Sequence, residues 1–194
     1  MRPRTVGGLV WWLSVWQMLD WHLGMAEGGD AQMRSRLSRA DAISLCRFWL
    51  IPVLPAARSS RWLPALILLG GVTDWLDGVL ARRDGRTRLG RDLDTTADLA
   101  FIATAAVSAR QAGRIGPFAY RALGARYGLG LVLALAAVFG RARRPAIRAR
   151  PWGAAPRVGG LFLCTAGLGR TGTALVVVGC LIPPRSTAPQ LSPA

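Results

Sequence analysis

Four aspartates in the middle of the chain have a spacing that suits the binding of a divalent cation. Asp74 and Asp77 are three residues apart, and Asp94 and Asp98 are four apart. On a helix, residues three or four apart lie on one face, with Cβ atoms about 5–6 Å apart. Two neighbouring helices would therefore point four carboxylates into one volume, where their charges repel. Hard oxygen ligands of this kind suit Mg²⁺ or Mn²⁺.

The residues between the two acid pairs favour phosphate chemistry. Gly78 and Ala81 leave space beside Asp77 for a bulky ligand or a closely packed helix. Arg82 supplies positive charge for a phosphate group. Acidic, small and basic residues in this order indicate metal-bridged phosphate chemistry. The alternative interpretation is that the acids form buried ion pairs with nearby arginines.

The stretch from 74 to 98 resembles the signature of the CDP-alcohol phosphatidyltransferase family. That signature reads D-x-x-D-G-x-x-A-R, a spacer, and then G-x-x-x-D-x-x-x-D. Its fixed positions are matched by Asp74, Asp77, Gly78, Ala81, Arg82, Gly90, Asp94 and Asp98. The spacer from 83 to 89 is one residue shorter than the family's usual form, which concerns the loop and not the carboxylates.

The resemblance implies an enzyme of phospholipid biosynthesis that moves a phosphatidyl group from CDP-diacylglycerol to a small alcohol and releases CMP. The opening helix resembles the family's N-x-x-T-x-x-R pattern, with Asp41 and Ser44 as replacements and Arg47 as the match. This favours a phosphatidylglycerolphosphate synthase-like enzyme, with a phosphatidylinositol-phosphate synthase-like enzyme close behind. Both imply an acceptor that carries a phosphate, such as glycerol 3-phosphate.

The resemblance also assigns roles to individual residues. It implies that two ions, Mg²⁺ or Mn²⁺, are held by Asp74, Asp77, Asp94 and Asp98. Asp98 would in addition be the catalytic base on the acceptor hydroxyl. The residues expected to bind CDP-diacylglycerol are Gly78, Arg82 and Thr87. The candidates for the acceptor phosphate are Arg47, Arg126 and Arg157. Snorkelling to the membrane interface is an open alternative for Arg47 and Arg126, and pairing with a neighbouring helix is a further one for Arg126.

Composition indicates a membrane protein. The 194-residue chain is 52% hydrophobic and has a net charge of +15, and all of its basic residues are arginine. These arginines lie in short groups between apolar runs, as in membrane loops, so we expect no nucleic-acid partner. The three cysteines, Cys46, Cys164 and Cys180, have no metal-ligand spacing. His22 is the only histidine, which argues against a histidine-based site.

Hydropathy predicts an all-α, polytopic membrane protein with about six transmembrane helices. An N-terminal amphipathic helix and linker would occupy residues 1–39, the phosphatidyltransferase membrane domain 40–184, and a disordered tail 185–194. The expected spans are about 41–57, 62–81, 92–111, 117–140, 154–169 and 171–184. An arginine-rich hairpin, 82–91, would join the second and third spans.

The N-terminal segment has three possible interpretations. Its four tryptophans include Trp11 and Trp12, and tryptophan is favoured at membrane interfaces. Ser14, Gln17 and Asp20 form a polar stripe, which favours an amphipathic helix lying in the interface. A signal peptide and a true membrane span remain as alternatives for this segment.

The distribution of arginine predicts the orientation. Fifteen arginines fall in the segments 34–47, 82–91 and 141–157, whereas the opposite loops and helix ends hold five. The positive-inside rule therefore places the acids at the cytoplasmic face of the cell membrane. Family resemblance also suggests a homodimer.

Two other functions are compatible with paired acids in a membrane protein. A membrane prenyltransferase also uses aspartate motifs for metal and pyrophosphate, although this chain has one paired set. A metal-binding membrane protein, or an inactive relative that serves as a scaffold, is the non-enzymatic alternative.

Overall fold

The computed structural model describes residues 3–22, 38–84, 88–139, 146–148, 151–182 and 185–187. Within these ranges the chain forms seven helices and two short strands. The helices are α1 Pro3–His22, α2 Arg39–Ala56, α3 Leu63–Asp84, α4 Arg88–Gln111, α5 Pro117–Phe139, α6 Pro151–Thr165 and α7 Gly169–Leu181. The strands are β1 Ala146–Arg148 and β2 Arg185–Thr187. The expected helical class is confirmed.

The two strands are a small departure from an all-α chain. They pair antiparallel, with Ile147 opposite Ser186. The second strand lies in the segment 185–194, for which the sequence predicts disorder. Pairing provides hydrogen-bond partners for backbone groups that an isolated tail would leave to water. The prediction of a disordered tail is therefore corrected for Arg185–Thr187.

The chain divides into two compact units. The first is Met1–Ala112, which contains α1 to α4, and the second is Gly113–Ala194, which contains the remaining helices and both strands. This division falls inside the segment 40–184 that the sequence predicts as one membrane domain.

Helix α2 is the central element of the first unit, because it packs against both α3 and α4. The helix begins with a capping box, in which the Ser38 hydroxyl accepts a hydrogen bond from the Asp41 backbone and the Asp41 carboxylate accepts one from the Ser38 backbone. Such a box satisfies two backbone donors at the start of a helix. The buried face then continues through Ser44, Arg47 and Phe48. One face of α2 is thus polar near its start and apolar further along.

The helices that carry the acids are longer than the sequence predicts. Helix α3 ends at Asp84 and α4 begins at Arg88, so most of the expected hairpin 82–91 is helical. Arginine is a good helix former, whereas a hydropathy pattern marks only the apolar part of a helix.

One described helix, Leu63–Arg83, is long and apolar enough to cross a membrane. Helix α7 is also apolar but has 13 residues, fewer than the roughly 20 that a straight span needs. The charged residues of α2 and α4 lower the hydropathy of those helices. The expected number of six spans therefore stays a prediction.

Helices α6 and α7 form a hairpin that depends on glycine. A Cβ atom added at Gly160 would lie 2.6 Å from the Val176 nitrogen, and one added at Gly172 would lie 2.6 Å from the Gly160 carbonyl oxygen. Only residues without a side chain allow backbones to approach so closely. The turn between the helices includes Gly167 with φ of 99°, a conformation that glycine adopts without strain.

Candidate active site

All four aspartates of the two pairs contact one side chain, the guanidinium of Arg47. Its Nη1 atom lies 3.0 Å from an Asp74 carboxylate oxygen and also contacts Asp98. Its Nη2 atom lies 2.6 Å from an Asp94 oxygen and also contacts Asp77. The structure therefore brings together the four acids at the centre of the first unit. We call Arg47 and these four aspartates the acid cluster.

Arg47 has a different environment from the one expected of a phosphate ligand. Its side chain is 1% exposed, and both terminal nitrogens face carboxylates. The expectation that Arg47 binds the acceptor phosphate therefore finds no support in this geometry. Snorkelling is also wrong as a description, because the guanidinium points into the protein. One guanidinium cannot balance four ionised carboxylates, so the cluster keeps an excess of negative charge.

The acid cluster has a buried and an open side. The Asp77 side chain is 6% exposed, whereas those of Asp74, Asp94 and Asp98 are 32%, 44% and 34% exposed. The Ser44 hydroxyl donates a hydrogen bond of 2.9 Å to Asp77. The Asp77 carboxylate is thus held by Ser44 on the buried side of the cluster, and the other three carboxylates are accessible from outside.

The three open carboxylates fit a divalent cation. One carboxylate oxygen from each of Asp74, Asp94 and Asp98 lies within 4.8 Å of the other two. A hard cation such as Mg²⁺ or Mn²⁺ prefers carboxylate oxygens. It would offset the negative charge that the Arg47 guanidinium does not neutralise. Asp77 lies outside this trio and differs from it by its burial and by its hydrogen bond from Ser44. Its expected role as a metal ligand stays a prediction.

Gly78 and Arg82 lie one turn apart on α3, directly after Asp77. A Cβ atom added at Gly78 would meet the Arg82 Nη1 atom at 3.6 Å, which is an ordinary contact, and Arg82 itself is exposed. The chain therefore has an accessible basic group beside an uncrowded backbone. Thr87, the third residue expected to bind the donor, lies outside the described residues.

Arg126 and Arg157 both belong to the second unit. Arg157 lies inside α6, within the expected span 154–169, and is 8% exposed. Its Nη1 atom donates a hydrogen bond of 3.2 Å to the Gly179 carbonyl, and its guanidinium carbon lies 5.6 Å from the centre of the Tyr127 ring. The buried Nε atoms of Arg126 and Arg157 have no hydrogen-bond partner among the described residues.

These two arginines lack an acidic neighbour in their own unit for a reason that the sequence makes plain. Residues 113–194 contain no aspartate and no glutamate. Burial of a charged group is costly unless it is paired, so an anionic ligand would stabilise this region. The expected role of Arg126 and Arg157 at the acceptor phosphate stays a prediction.

Sequence reasoning gave no part to Ser44 and favoured a phosphate as the partner of Arg47, whereas the structure shows the alternative, ion pairs between the acids and an arginine. A signal was present, because Asp41, Ser44 and Arg47 recur every three residues and therefore share a helix face. That face could have been matched to the acids of the next two helices.

Comparison with protein-family models matches the CDP-alcohol phosphatidyltransferase family over residues 37–183. The matched segment begins just before α2 and includes the acid cluster, whereas α1 lies outside it. A search of curated proteins finds no match. Members of the matched family are metal-dependent membrane proteins that transfer substituted phosphate groups.

Proposed function

We propose, since the chain belongs to the CDP-alcohol phosphatidyltransferase family, that it moves the phosphatidyl group of CDP-diacylglycerol to an alcohol that carries a phosphate. Glycerol 3-phosphate is the first candidate acceptor, and CMP is the second product. The observation that carries this proposal is the convergence of four aspartates on Arg47, with three of the carboxylates open to the outside.

In this proposal Asp74, Asp77 and Asp94 hold Mg²⁺ or Mn²⁺, and Asp98 completes the site for a second ion. Bound ions would stabilise the negative charge of the pyrophosphate and of the departing CMP. Gly78, Arg82 and Thr87 bind the CDP part of the donor. The support for Gly78 and Arg82 is the uncrowded backbone at Gly78 beside the exposed Arg82 guanidinium.

Asp98 is the proposed base on the acceptor hydroxyl. An ordinary aspartate is a weak base, so this role requires the hydroxyl to lie within hydrogen-bond reach of the carboxylate. Asp98 is accessible to an acceptor, since its side chain is 34% exposed, and it is also held by a contact with Arg47. A base that was as buried as Asp77 could not be reached by an acceptor.

Arg126 and Arg157 are the proposed ligands of the acceptor phosphate. Their Nε atoms are buried without partners in the described part of the chain. Arginine binds phosphate through several N–H groups at once. Tyr127 would hold the Arg157 guanidinium in place through its ring.

We further propose that the enzyme has about six membrane spans, faces the cytoplasm with its acid cluster and forms a homodimer. The apolar Leu63–Arg83 segment and the arginine-rich segments support the first two points. An acid cluster at the cytoplasmic face would have access to a CDP-linked donor, while the acyl chains of that donor stay in the bilayer.

The proposed function is tested by CMP release from CDP-diacylglycerol by the full chain in detergent–lipid micelles. The acceptors are glycerol 3-phosphate, inositol phosphate, glycerol and inositol, each with Mg²⁺, Mn²⁺ or a chelator. We expect release that requires a divalent ion and a phosphorylated acceptor. A protein that binds Mn²⁺ and releases no CMP with any of these acceptors would overturn the proposal.

A further inference from the structure

Helix α2 contains a proline that removes one of its own hydrogen bonds. Pro52 has no N–H group, so the carbonyl of Phe48, four residues earlier, loses the donor that a regular helix provides. In the structure the indole N–H of Trp11 donates a hydrogen bond of 3.1 Å to that carbonyl. The N-terminal helix thus replaces the backbone donor that the proline removes.

The Phe48 carbonyl that accepts the Trp11 hydrogen bond is adjacent in sequence to the acid cluster. Phe48 follows Arg47 directly, and its side chain is 1% exposed, so the replaced hydrogen bond lies in the packed part of α2. Helices bend at a proline or where a side chain inserts into the backbone hydrogen-bond ladder, and both conditions meet at Phe48 and Pro52. A change there would move the Arg47 guanidinium relative to the carboxylates of α3 and α4.

Ring contacts hold α1 in register with this position. The Trp11 and Phe48 ring centres are 6.0 Å apart, and those of Trp12 and Trp49 are 3.9 Å apart. Val15, one turn after Trp11, is 3% exposed. Helix α1 lies outside the family-matched residues 37–183, so this support is an addition to the part of the chain that matches the family.

We propose that Trp11 is a positioning residue for the transfer reaction. Its indole N–H fixes the course of α2 at Pro52 and thereby the placement of Arg47 among the four acids. The N-terminal helix is then a working part of the active site and not merely a membrane attachment. This inference rests on the proposed function, because Arg47 matters only if the acid cluster binds metal and substrate.

The test compares three variants of the full chain with the original protein. Trp11→Phe keeps an aromatic ring and removes the N–H donor. Adding Pro52→Ala to this variant gives residue 52 an N–H that can bond to the Phe48 carbonyl. The double variant W11F/P52A therefore has the hydrogen bond without the tryptophan. Trp12→Phe is the matched control, because Trp12 contacts Trp49 through its ring.

We expect Trp11→Phe to raise the Mn²⁺ concentration for half-maximal CMP release by about fivefold, the effect of one hydrogen bond. In the double variant and in Trp12→Phe, the Mn²⁺ concentration for half-maximal CMP release should lie within about twofold of that of the original protein. Rescue by Pro52→Ala separates the hydrogen bond from ring packing. An unchanged Trp11→Phe, or a double variant as impaired as Trp11→Phe, would overturn the inference.

A second readout separates failure of this inference from failure of the proposed function. The rise in Tm that Mn²⁺ causes is measured on the same four proteins, without donor or acceptor. We expect the smallest rise in Trp11→Phe and recovery in the double variant, even if no acceptor supports turnover. If Trp11→Phe fails to fold, recovery of folded protein in the double variant supports the inference, and no recovery contradicts it.

Discussion

The Ser44 hydroxyl donates a hydrogen bond of 2.9 Å to the Asp77 carboxylate, and both side chains are buried. This bond joins α2 to α3 at the closed side of the acid cluster, where Arg47 also contacts Asp77. The signature acids on α3 and α4 are therefore positioned in part by a third helix, α2. Asp77 is oriented from behind, which leaves its three partners to face outward.

We predict that Ser44→Ala weakens activity without abolishing it. Asp77 would lose one donor but keep Arg47, so the free energy of unfolding should fall by roughly 1 kcal/mol and CMP release by about five- to tenfold. Ser44→Thr keeps a hydroxyl and should retain most activity. Ser14→Ala is the control, because the Ser14 hydroxyl is exposed and bonds to the Val10 carbonyl of its own helix. Equal effects at positions 14 and 44 would contradict the role given to Ser44.

Removal of Arg47 should make the fold dependent on divalent ions. In Arg47→Met the four carboxylates have no internal cation, and loss of one partner of a buried ion pair costs about 3–5 kcal/mol. We expect a lower Tm in chelator and a larger rise in Tm with Mn²⁺ than the original protein shows, because a bound ion is then the only counter-charge of the four acids. A displaced Arg47, as expected in Trp11→Phe, still occupies the carboxylates and weakens ion binding instead. Thermal unfolding in detergent measures both values.

The control for Arg47 is Arg58→Met. Arg58 lies beyond the C-terminal end of α2 and bonds to Gln111, away from the acids. Its replacement should leave the response to Mn²⁺ unchanged. If Mn²⁺ raises the Tm of Arg47→Met and of the original protein by the same amount, Arg47 does not act as the counter-charge of the acid cluster.

Gly78→Ala separates a role in donor binding from a role in folding. The added methyl group would meet only the Arg82 guanidinium, at 3.6 Å, and alanine favours a helix over glycine by about 1 kcal/mol. The variant should therefore be as stable as the original protein or slightly more so. We nevertheless expect a higher KM for CDP-diacylglycerol, because the methyl group would occupy the space next to Asp77.

Gly124→Ala is the matched control for that experiment. Gly124 is also a helical glycine, and a Cβ atom there would meet nothing within 4 Å. Its replacement should raise Tm without a change in KM. An unchanged KM in Gly78→Ala would show that Gly78 does not face the donor.

Arg126→Met should change the KM for the acceptor and not the KM for the donor. A hydrogen bond from a charged group contributes about 1.5–3 kcal/mol, so the KM for glycerol 3-phosphate should rise on the order of tenfold to a hundredfold. The KM for CDP-diacylglycerol should stay the same. Arg121→Met is the control, since Arg121 is exposed on the same helix. A rise in the donor KM alone would contradict a phosphate site at Arg126.

The placement of the acids was predictable because it depends on local geometry. Spacings of three and four put each pair on one helix face, and a short connection makes two such helices neighbours. The position of Arg47 was not fixed by residue spacing alone, because it depends on how α2 packs against the next two helices, α3 and α4. A single arginine in an apolar run has the same pattern whether it faces lipid, phosphate or carboxylates.

The helix boundaries and Arg157 show a second limit of sequence reasoning. Hydropathy detects apolar residues, so it missed the charged ends of α3 and α4 and did not show what surrounds Arg157. In the structure Arg157 is buried in α6, where its guanidinium bonds to the Gly179 carbonyl. The close contact between α6 and α7 at Gly160 likewise followed from no periodic pattern.

The central claim is that the acid cluster is a divalent-ion-dependent catalytic site with Asp98 as its base. The most direct measurement is CMP release by Asp98→Asn over a range of Mn²⁺ concentrations, beside Asp20→Asn, which changes an exposed acid of α1. A lost base should lower the rate by about a hundredfold or more at every Mn²⁺ concentration, with helical content and Tm preserved and Asp20→Asn fully active. A folded Asp98→Asn protein that releases CMP as fast as Asp20→Asn would contradict the claim.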